Sequence, residues 1–348
     1  MEFICLLCRR VITRFKVSII CKSNFSKIPL CAVFHLNEQT ISMVVERKPS
    51  VSLYAILARD ARIGVVFRRG PSKRVLLLLW RTDTDYIYEG QWFKGRIYER
   101  RCDLSPSGSR LIYFAASYKP PYATWTAVSR PPFLTAVALW PKGDAWGGGG
   151  LFVREGEILL NHRPAEMKMA EGFQVPKYVV VKPFGDRPGW GEDNPIHAQR
   201  LIRDGWKIIQ QGNSQYHKIG APMWVTLDPP EIWAKPRPHD GKPYEIREKL
   251  LGIHQNNGPW RVIEDSVINT KSGEEFSLGR TDWADWCHSG DLLYAKEGHL
   301  WRLGFDRKNL KPVDQAEMLI DLRGRVFTPR EAPEGAKRWG GDFQLSDS

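Results

Sequence analysis

From residue 51 onward, the chain consists of short apolar runs separated by turns rich in Gly and Pro. The runs at 63–67 and 75–80, for example, flank the hexapeptide Arg-Arg-Gly-Pro-Ser-Lys. Short runs bounded by such turn signals are typical of β-strands joined by hairpins, whereas a helix needs a longer periodic segment. The sequence therefore predicts an all-β fold with antiparallel strands.

Composition supports this prediction. The 348 residues include 30 Gly, 24 Pro and 14 Trp, and every Trp lies between residues 80 and 339. Trp brings a large apolar body and one N–H group that needs a partner when buried, which suits sheet cores and interfaces. Only one short helix is expected, at 195–204, with Asn194 as its N-cap, Pro195 in its first turn and Gly205 at its end.

Two segments of the chain resemble each other. Leu151-Phe-Val-Arg-Glu-Gly-Glu-Ile-Leu159 aligns without gaps on Leu293-Tyr-Ala-Lys-Glu-Gly-His-Leu-Trp301. Both read as strand, Glu-Gly turn and strand, and such internal similarity is the signature of a repeat architecture. Gly156 and Gly298 are expected to supply the positive φ of a two-residue hairpin turn.

One motif carries a resemblance to a known family. Asp103-Leu-Ser-Pro-Ser-Gly108, followed by Ser-Arg-Leu-Ile-Tyr-Phe, resembles the Asp-x-Ser-Pro-x-Gly signature of TolB-type and WD-repeat β-propellers. The match covers residues 95–118, with a weaker copy at 281–305. The resemblance implies a propeller in which Asp103 caps the backbone N–H groups of the turn and Gly108 takes a left-handed conformation.

The usual length of a blade sets the expected number of blades. At about 40 to 50 residues per blade, residues 51–330 would hold about six blades. The stretch 164–243 departs from the pattern and contains the predicted helix. A β-sandwich is the alternative all-β fold.

The first 42 residues differ from the rest of the chain, since they hold four of the six Cys, no Trp and no sustained periodicity. We expect a poorly ordered extension at 1–42, a propeller-like domain at 43–330 and a polar tail at 331–348.

The extension also carries candidate metal ligands. Cys5, Cys8, Cys31 and His35 have the spacing of two zinc half sites, but the 22 residues between the halves exceed the usual distance. We therefore expect neither a metal nor a cofactor.

The sequence contains no complete catalytic motif. It has neither a G-x-S-x-G nucleophile motif nor a phosphate-binding loop, and no two of its eight His lie within five residues of each other. The leading prediction is a non-enzymatic protein-interaction scaffold. A hydrolase with its site at the propeller mouth is an alternative, which three or more carboxylates or His clustered there would favour.

A Gly-rich segment is the first candidate binding surface. Trp140, Lys142, Asp144 and Trp146 precede four consecutive Gly and would recognise another protein, with the Trp side chains as anchors. The structural alternative has both indoles buried and the Gly run filling a crowded step between blades.

Charge suggests a second kind of partner. The formal net charge is +12, and basic residues cluster in two neighbouring segments. A nucleic-acid-binding module would use their phosphate contacts. The candidate residues are Arg68, Arg69, Lys73, Arg74, Arg96, Arg100 and Arg101.

No run approaches the roughly 18 apolar residues that cross a bilayer, so a soluble cytoplasmic protein with no membrane association is expected.

Overall fold

The computed structural model describes residues 51–345, except 72, 219, 239–242, 257, 306–314, 341–342 and 344. The expected extension at 1–42 and the half sites at Cys5, Cys8, Cys31 and His35 lie outside the described residues.

The described residues form an all-β fold of five sheets with one α-helix and three short 3₁₀ turns. Each sheet is built from one continuous stretch of chain, so the sheets follow one another in sequence order. All strand pairs are antiparallel except one in the third sheet.

The first sheet contains β1 (Ser52–Leu57), β2 (Ile63–Arg69), β3 (Arg74–Arg81) and β4 (Tyr86–Lys94). The second contains β5 (Arg96–Ile97), β6 (Asp103–Leu104), β7 (Leu111–Ala116), β8 (Thr124–Ser129) and β9 (Ala136–Pro141). The third contains β10 (Gly150–Arg154), β11 (Glu157–Leu160) and β12 (Val180–Pro183), with β11 and β12 parallel.

Helix α1 (Asn194–Arg203) follows the third sheet. The fourth sheet then contains β13 (Lys207–Gln210), β14 (Ser214–Tyr216), β15 (Met223–Pro236), β16 (Tyr244–Gln255), β17 (Arg261–Asn269) and β18 (Glu275–Thr281). The fifth contains β19 (Trp283–Trp286), β20 (Leu292–Lys296), β21 (His299–Leu303) and β22 (Glu317–Asp321).

The hairpin expected around the Gly-Pro pair is confirmed. Strands β2 and β3 pair in antiparallel register from Ile63 with Arg81 to Arg69 with Val75. The six residues 75–80 of β3 are all buried, so both faces of this strand pack against other parts of the protein.

The two similar segments both form hairpins, but their turns differ. In the β20–β21 turn, Glu297 and Gly298 have φ of +52° and +77°, as a two-residue turn of this type requires. Gly156, in the β10–β11 turn, lies outside the left-handed region, so the prediction for it was wrong. A Cβ on Gly156 would lie 2.9 Å from the carbonyl oxygen of Tyr178, and the Gly156 carbonyl accepts the N–H of Val180 at 2.8 Å. Gly156 therefore allows a close approach of the chain that leads into β12.

The turn after β6 is closed by its own Ser and Gly. The Gly108 N–H donates to the Ser105 carbonyl at 2.8 Å, and the Ser105 hydroxyl accepts the N–H of Arg110 at 3.1 Å. Gly108 has φ of +76°, which confirms the expected left-handed conformation. A Cβ there would also lie 2.9 Å from the Ile63 side chain.

Neighbouring sheets share apolar cores. The largest cluster combines residues of the first, second and fifth sheets, a second joins the fourth and fifth, and a third joins the second and third. Strand β1 contacts β6 and β19, while β6 contacts β10 and β19 contacts β16. A sandwich of two sheets does not fit the five sheets of the described residues, and the expected count of about six blades is not confirmed.

The segment expected as a polar tail, 331–348, packs against the second sheet where the structure describes it. Ala336 is fully buried, and the Trp339 indole donates to the carbonyl of Val137 at 3.0 Å.

Candidate functional site

A cavity of about 460 Å³ lies between the first, fourth and fifth sheets and helix α1, and we call it the inter-sheet cavity. This volume is within the range of small-molecule sites. Three indoles line it, from Trp206, Trp283 and Trp286. The polar lining includes Tyr54, His197, Arg200, Asp204, Lys235, Glu248, Asp285 and His288.

Helix α1 carries part of this lining. The sequence predicted it to within one residue, and it ends before Gly205, whose φ is +93°. The predicted N-cap was wrong, because Asp193 rather than Asn194 precedes the helix and makes no side-chain capping bond. The Asp193 carboxylate instead accepts the Arg101 Nε–H at 2.8 Å. Arg101, a buried residue between β5 and β6, therefore fixes the start of the helix.

Arg200 of α1 is 3% exposed and is held by backbone and phenol oxygens. It donates to the carbonyls of Glu99 and Cys102 and to the Tyr54 hydroxyl. Two guanidiniums lie near the Tyr54 ring, with Arg100 at 4.8 Å and Arg200 at 5.5 Å from its centroid. Burial raises the pKa of Tyr54, while both arginines lower it. The phenol is thus fixed in a positively charged environment.

His197 lies one turn before Arg200 and is 5% exposed. Its Nδ1 is 3.5 Å from Arg200 Nη2, and since arginine can only donate, this contact assigns the imidazole proton to Nε2. Nε2 has no hydrogen-bond partner among the described residues. Burial, together with the positive charges of Arg261, Arg100 and Arg200, holds the pKa of His197 well below its usual range. The imidazole is therefore neutral at neutral pH.

Two carboxyl groups in the cavity have different surroundings. Lys235 Nζ donates to Asp285 at 2.7 Å, and burial raises the pKa of Asp285 although Lys235 opposes this shift. Glu248 lies 3.7 Å from the Arg261 guanidinium, which is an ion pair but not a hydrogen bond. Glu248 Oε1 and Arg261 Nε have no hydrogen-bond partner in the described part of the chain.

Asp103 does not cap its own turn, so that prediction was wrong. Its side chain is fully buried, accepts the Phe152 N–H at 2.8 Å and pairs with Arg203 of α1, one of whose bonds measures 2.9 Å. Arg203 also donates to the Phe152 carbonyl at 3.0 Å. Asp103 therefore joins the second sheet to the third sheet and to the helix beside the inter-sheet cavity.

Two predicted recognition residues are not available to a partner. Trp140 is 1% exposed and belongs to the core between the second and third sheets. The Lys142 side chain is fully buried and pairs with Asp144 at 2.8 Å and Glu166 at 3.1 Å. Both predictions are corrected, because these side chains hold the loop in place rather than present it.

The other two recognition residues are accessible. Trp146 is 39% exposed, and its ring packs edge-to-face on Trp190, which is 59% exposed, with 5.5 Å between centroids. Half of the Asp144 side chain is also exposed, and its carboxylate accepts the Trp146 N–H at 3.0 Å. Trp190 is a neighbour that sequence reasoning did not identify.

The Gly run is packed rather than free to adapt. Gly147, Gly148 and Gly149 all have φ between +73° and +84°. A Cβ would lie 2.3 Å from the Phe114 ring at Gly148 and 2.1 Å from the Arg101 carbonyl at Gly149. The structure agrees with the alternative in which this run fills a crowded step between sheets.

The predicted basic patch contains both buried and exposed residues. Three of its members are buried and engaged within the protein, namely Arg68, Arg100 and Arg101. The remaining four are at least partly exposed, namely Arg69, Lys73, Arg74 and Arg96. Arg69 pairs with Glu99 at 3.2 Å, and Arg96 packs on the Tyr98 ring at 4.4 Å. The seven residues do not form one continuous basic surface.

Sequence reasoning named none of the polar residues of the inter-sheet cavity as site residues, and it interpreted His288 as a turn or surface residue. One available signal lay in the helix, where Arg200 follows the buried Ile196 by four residues and therefore shares its face. Glu248 and Asp285 lie on strands of different sheets, and no local pattern brings them together.

No protein-family model matches the chain, and no curated protein matches it. Within the part of the chain that the structure describes, no group of three or more His, Cys, Asp or Glu side chains is placed to hold a metal ion. The same residues include no helix of the length and apolar character that a membrane span needs.

Proposed function

We propose that this protein binds a small polar molecule in the inter-sheet cavity. The observation that carries the proposal is that His197 lines the cavity while its buried Nε2–H group has no acceptor among the described residues. A buried polar group left without a partner costs about 1–3 kcal/mol, so a structure that keeps one calls for a reason. Glu248, on the same lining, has an oxygen, Oε1, that accepts no hydrogen bond from the described residues and is ion-paired with Arg261 at 3.7 Å. A bound ligand explains both.

Hydrolysis is the activity that this lining supports. Three carboxyl groups and two imidazoles line the cavity, from Asp204, Glu248, Asp285, His197 and His288. General acid–base catalysis needs groups whose surroundings set their pKa values apart. Asp285, which accepts from Lys235 at 2.7 Å, and Glu248, which is ion-paired with Arg261 at 3.7 Å, are carboxyl groups in different surroundings.

The binding proposal is tested by thermal denaturation with a panel of sugars, amino acids, nucleotides and organic acids. A ligand at 100 times its Kd stabilises a protein by about 2.7 kcal/mol, which raises the Tm of a domain this size by several degrees. We expect this shift in the wild type and in the exposed control Glu171→Gln, and its loss in Glu248→Gln. The proposal fails if no compound stabilises the wild type, or if Glu248→Gln responds like the control.

A second candidate function is recognition of a partner protein, and the exposed Trp146–Trp190 pair favours it. Exposed Trp side chains frequently dominate the energy of protein interfaces. The pair lies on a rigid base, because Lys142 and the packed Gly run fix the loop beneath it. This arrangement suits an interaction scaffold.

Affinity capture tests the second candidate. The double variant Trp146→Ala, Trp190→Ala should lose any specific partner that the wild type captures. Trp224→Ala is the matched control, because Trp224 is 46% exposed and forms a similar edge-to-face pair with Tyr216 elsewhere on the surface. Equal capture by both variants would contradict this candidate.

Nucleic-acid binding has less support, since only four of the seven basic candidates are at least partly exposed. A gel shift at 50 and 200 mM salt tests it, because phosphate contacts weaken steeply with added salt.

We also infer that the five sheets are blades of a β-propeller. Their sequential order and the contacts of β1 with β6 and β19, of β6 with β10 and of β16 with β19 support this arrangement. A cytoplasmic location stays a prediction.

A further inference from the structure

Two cations lie directly opposite each other at one end of the first sheet. Arg74 and Lys94 are cross-strand partners in the pair formed by β3 and β4, and both are exposed. Like charges in such positions repel each other and destabilise the strand pair. Neither residue forms an ion pair with any carboxylate of the described residues. The sheet therefore keeps two cations together without an internal counter-charge.

An aromatic ring lies against both cations. The Phe327 ring centroid is 4.6 Å from Lys94 Nζ and 5.4 Å from the Arg74 guanidinium carbon. Phe327 also packs on Trp92, with 5.7 Å between the ring centroids, and both rings are partly exposed. A cation–π contact holds a cation in place but leaves its charge unneutralised. We call Arg74, Lys94, Phe327 and Trp92 the Phe327 surface.

The other cations close to this surface are paired or buried. Buried Arg68 lies 5.4 Å from the Trp92 ring centroid and donates to the carbonyls of Leu322 and Arg323 at 3.0 Å. Three ion pairs lie nearby, namely Arg69 with Glu99, Arg323 with Asp321 and Arg325 with Glu89.

A count of these charges leaves an excess on the Phe327 surface. The three ion pairs are each neutral. Glu297, which lies near Arg323, offsets the charge of Arg68. The charges of Arg74 and Lys94 remain, and the adjacent Lys73 is exposed as well. An anion at this surface would therefore experience a positive potential, which salt in the surrounding water weakens.

A strand of nucleic acid with unstacked bases has chemistry that fits both parts of the surface. Its phosphates accept hydrogen bonds from guanidinium and ammonium groups. Its bases stack on aromatic side chains, whatever their sequence. An acidic peptide would satisfy the cations alone, and a duplex keeps the faces of its bases stacked inside.

We propose that the Phe327 surface binds single-stranded nucleic acid. Backbone phosphates contact Arg74 and Lys94, and a base packs against the exposed part of the Phe327 ring. This inference rests on the nucleic-acid candidate function, for which it names the surface and the kind of strand. It is independent of any ligand in the inter-sheet cavity.

Fluorescence anisotropy with a labelled oligothymidylate of about 12 nucleotides tests the role of the cations. We expect Arg74→Gln, Lys94→Gln to weaken binding about tenfold or more at about 50 mM salt. The slope of log affinity against log salt should fall in magnitude by about 1.4, because each phosphate contact on a single strand contributes about 0.7.

The control variant Arg62→Gln, Lys271→Gln removes the same formal charge from two other turns. Both residues are exposed, and neither has an ion pair among the described residues. We expect this variant to keep the affinity and the salt slope of the wild type. If the two double variants bind the oligonucleotide equally, the nucleic-acid candidate stands and the Phe327 surface falls; if the wild type does not bind it, both fall.

The role of the ring is tested separately. Phe327→Leu keeps an apolar side chain but removes the aromatic face, so we expect binding to weaken about fivefold or more with an unchanged salt slope. Phe327→Tyr should bind like the wild type. Wild-type affinity in a folded Phe327→Leu variant would overturn the stacking contact. A duplex of the same length, or polyglutamate of the same charge, binding as tightly as the oligonucleotide would overturn the assignment to single strands.

Discussion

Replacing Asp103 by Ala distinguishes two accounts of the Asp-x-Ser-Pro-x-Gly motif. If Asp103 only capped the turn, its loss would cost about 1 kcal/mol. In the structure the carboxylate is fully buried and joins the Phe152 N–H and the Arg203 guanidinium across two sheets and the helix.

The expected cost follows from what the change leaves behind. Removing one member of a buried ion pair costs about 3–5 kcal/mol, because the other charge stays buried. Arg203 keeps Asp204 as a partner at 2.8 Å, which places the cost near the lower end of that range. The buried Phe152 N–H, however, loses its acceptor. We therefore expect a loss of about 3–4 kcal/mol in the free energy of unfolding.

Urea unfolding followed by Trp fluorescence measures this loss. Ser107→Ala, in the exposed part of the same turn, is the control and should change the free energy of unfolding by less than about 1 kcal/mol. In a double-mutant cycle, Asp103→Ala and Arg203→Ala should be strongly non-additive. A loss near 1 kcal/mol together with additive effects would refute the bridging role of Asp103.

Three further predictions concern packing and pH. Gly148→Ala should destabilise far more than Gly143→Ala in urea unfolding, because both residues have positive φ but only Gly148 has a ring within 4 Å of the added Cβ; equal losses would contradict the packed Gly run. Trp140→Ala should cost about 3–5 kcal/mol as a core truncation, whereas Trp146→Ala should change the Tm little, and the reverse order in a thermal melt would show the burial assignment to be wrong. Burial lowers the pKa of His162 to about 4. The contribution of its neutral imidazole to the free energy of unfolding is therefore fully present above pH 6.5, and about 3 kcal/mol of it is lost as the pH falls towards 4. Unfolding at pH 7, 5 and 4 should therefore show a weaker pH dependence in His162→Asn than in the wild type, and identical profiles would count against this origin.

Features that depend on neighbouring residues were predictable from the sequence. The hairpin of β2 and β3, the paired hairpins and helix α1 appeared where apolar runs, Gly-Pro pairs and helix-ending Gly placed them. Each of these signals acts within a few residues, so the sequence carries it without knowledge of the fold.

Features that depend on contacts between distant segments were not predictable. Asp103 pairs with Arg203, 100 residues away, so a local turn motif gave the wrong partner. Gly156 is required by the approach of Tyr178, which no hairpin rule includes. The inter-sheet cavity combines His197 on a helix with Glu248 and Asp285 on two sheets, and only the tertiary structure brings these residues together.

The most direct test of the central claim is a crystal structure with the tightest-binding compound of the panel. Our account predicts that the ligand occupies the inter-sheet cavity, with an acceptor atom within hydrogen-bond distance of His197 Nε2 and a donor within hydrogen-bond distance of Glu248 Oε1. Electron density for the ligand at another site, with the cavity filled only by solvent, would contradict it.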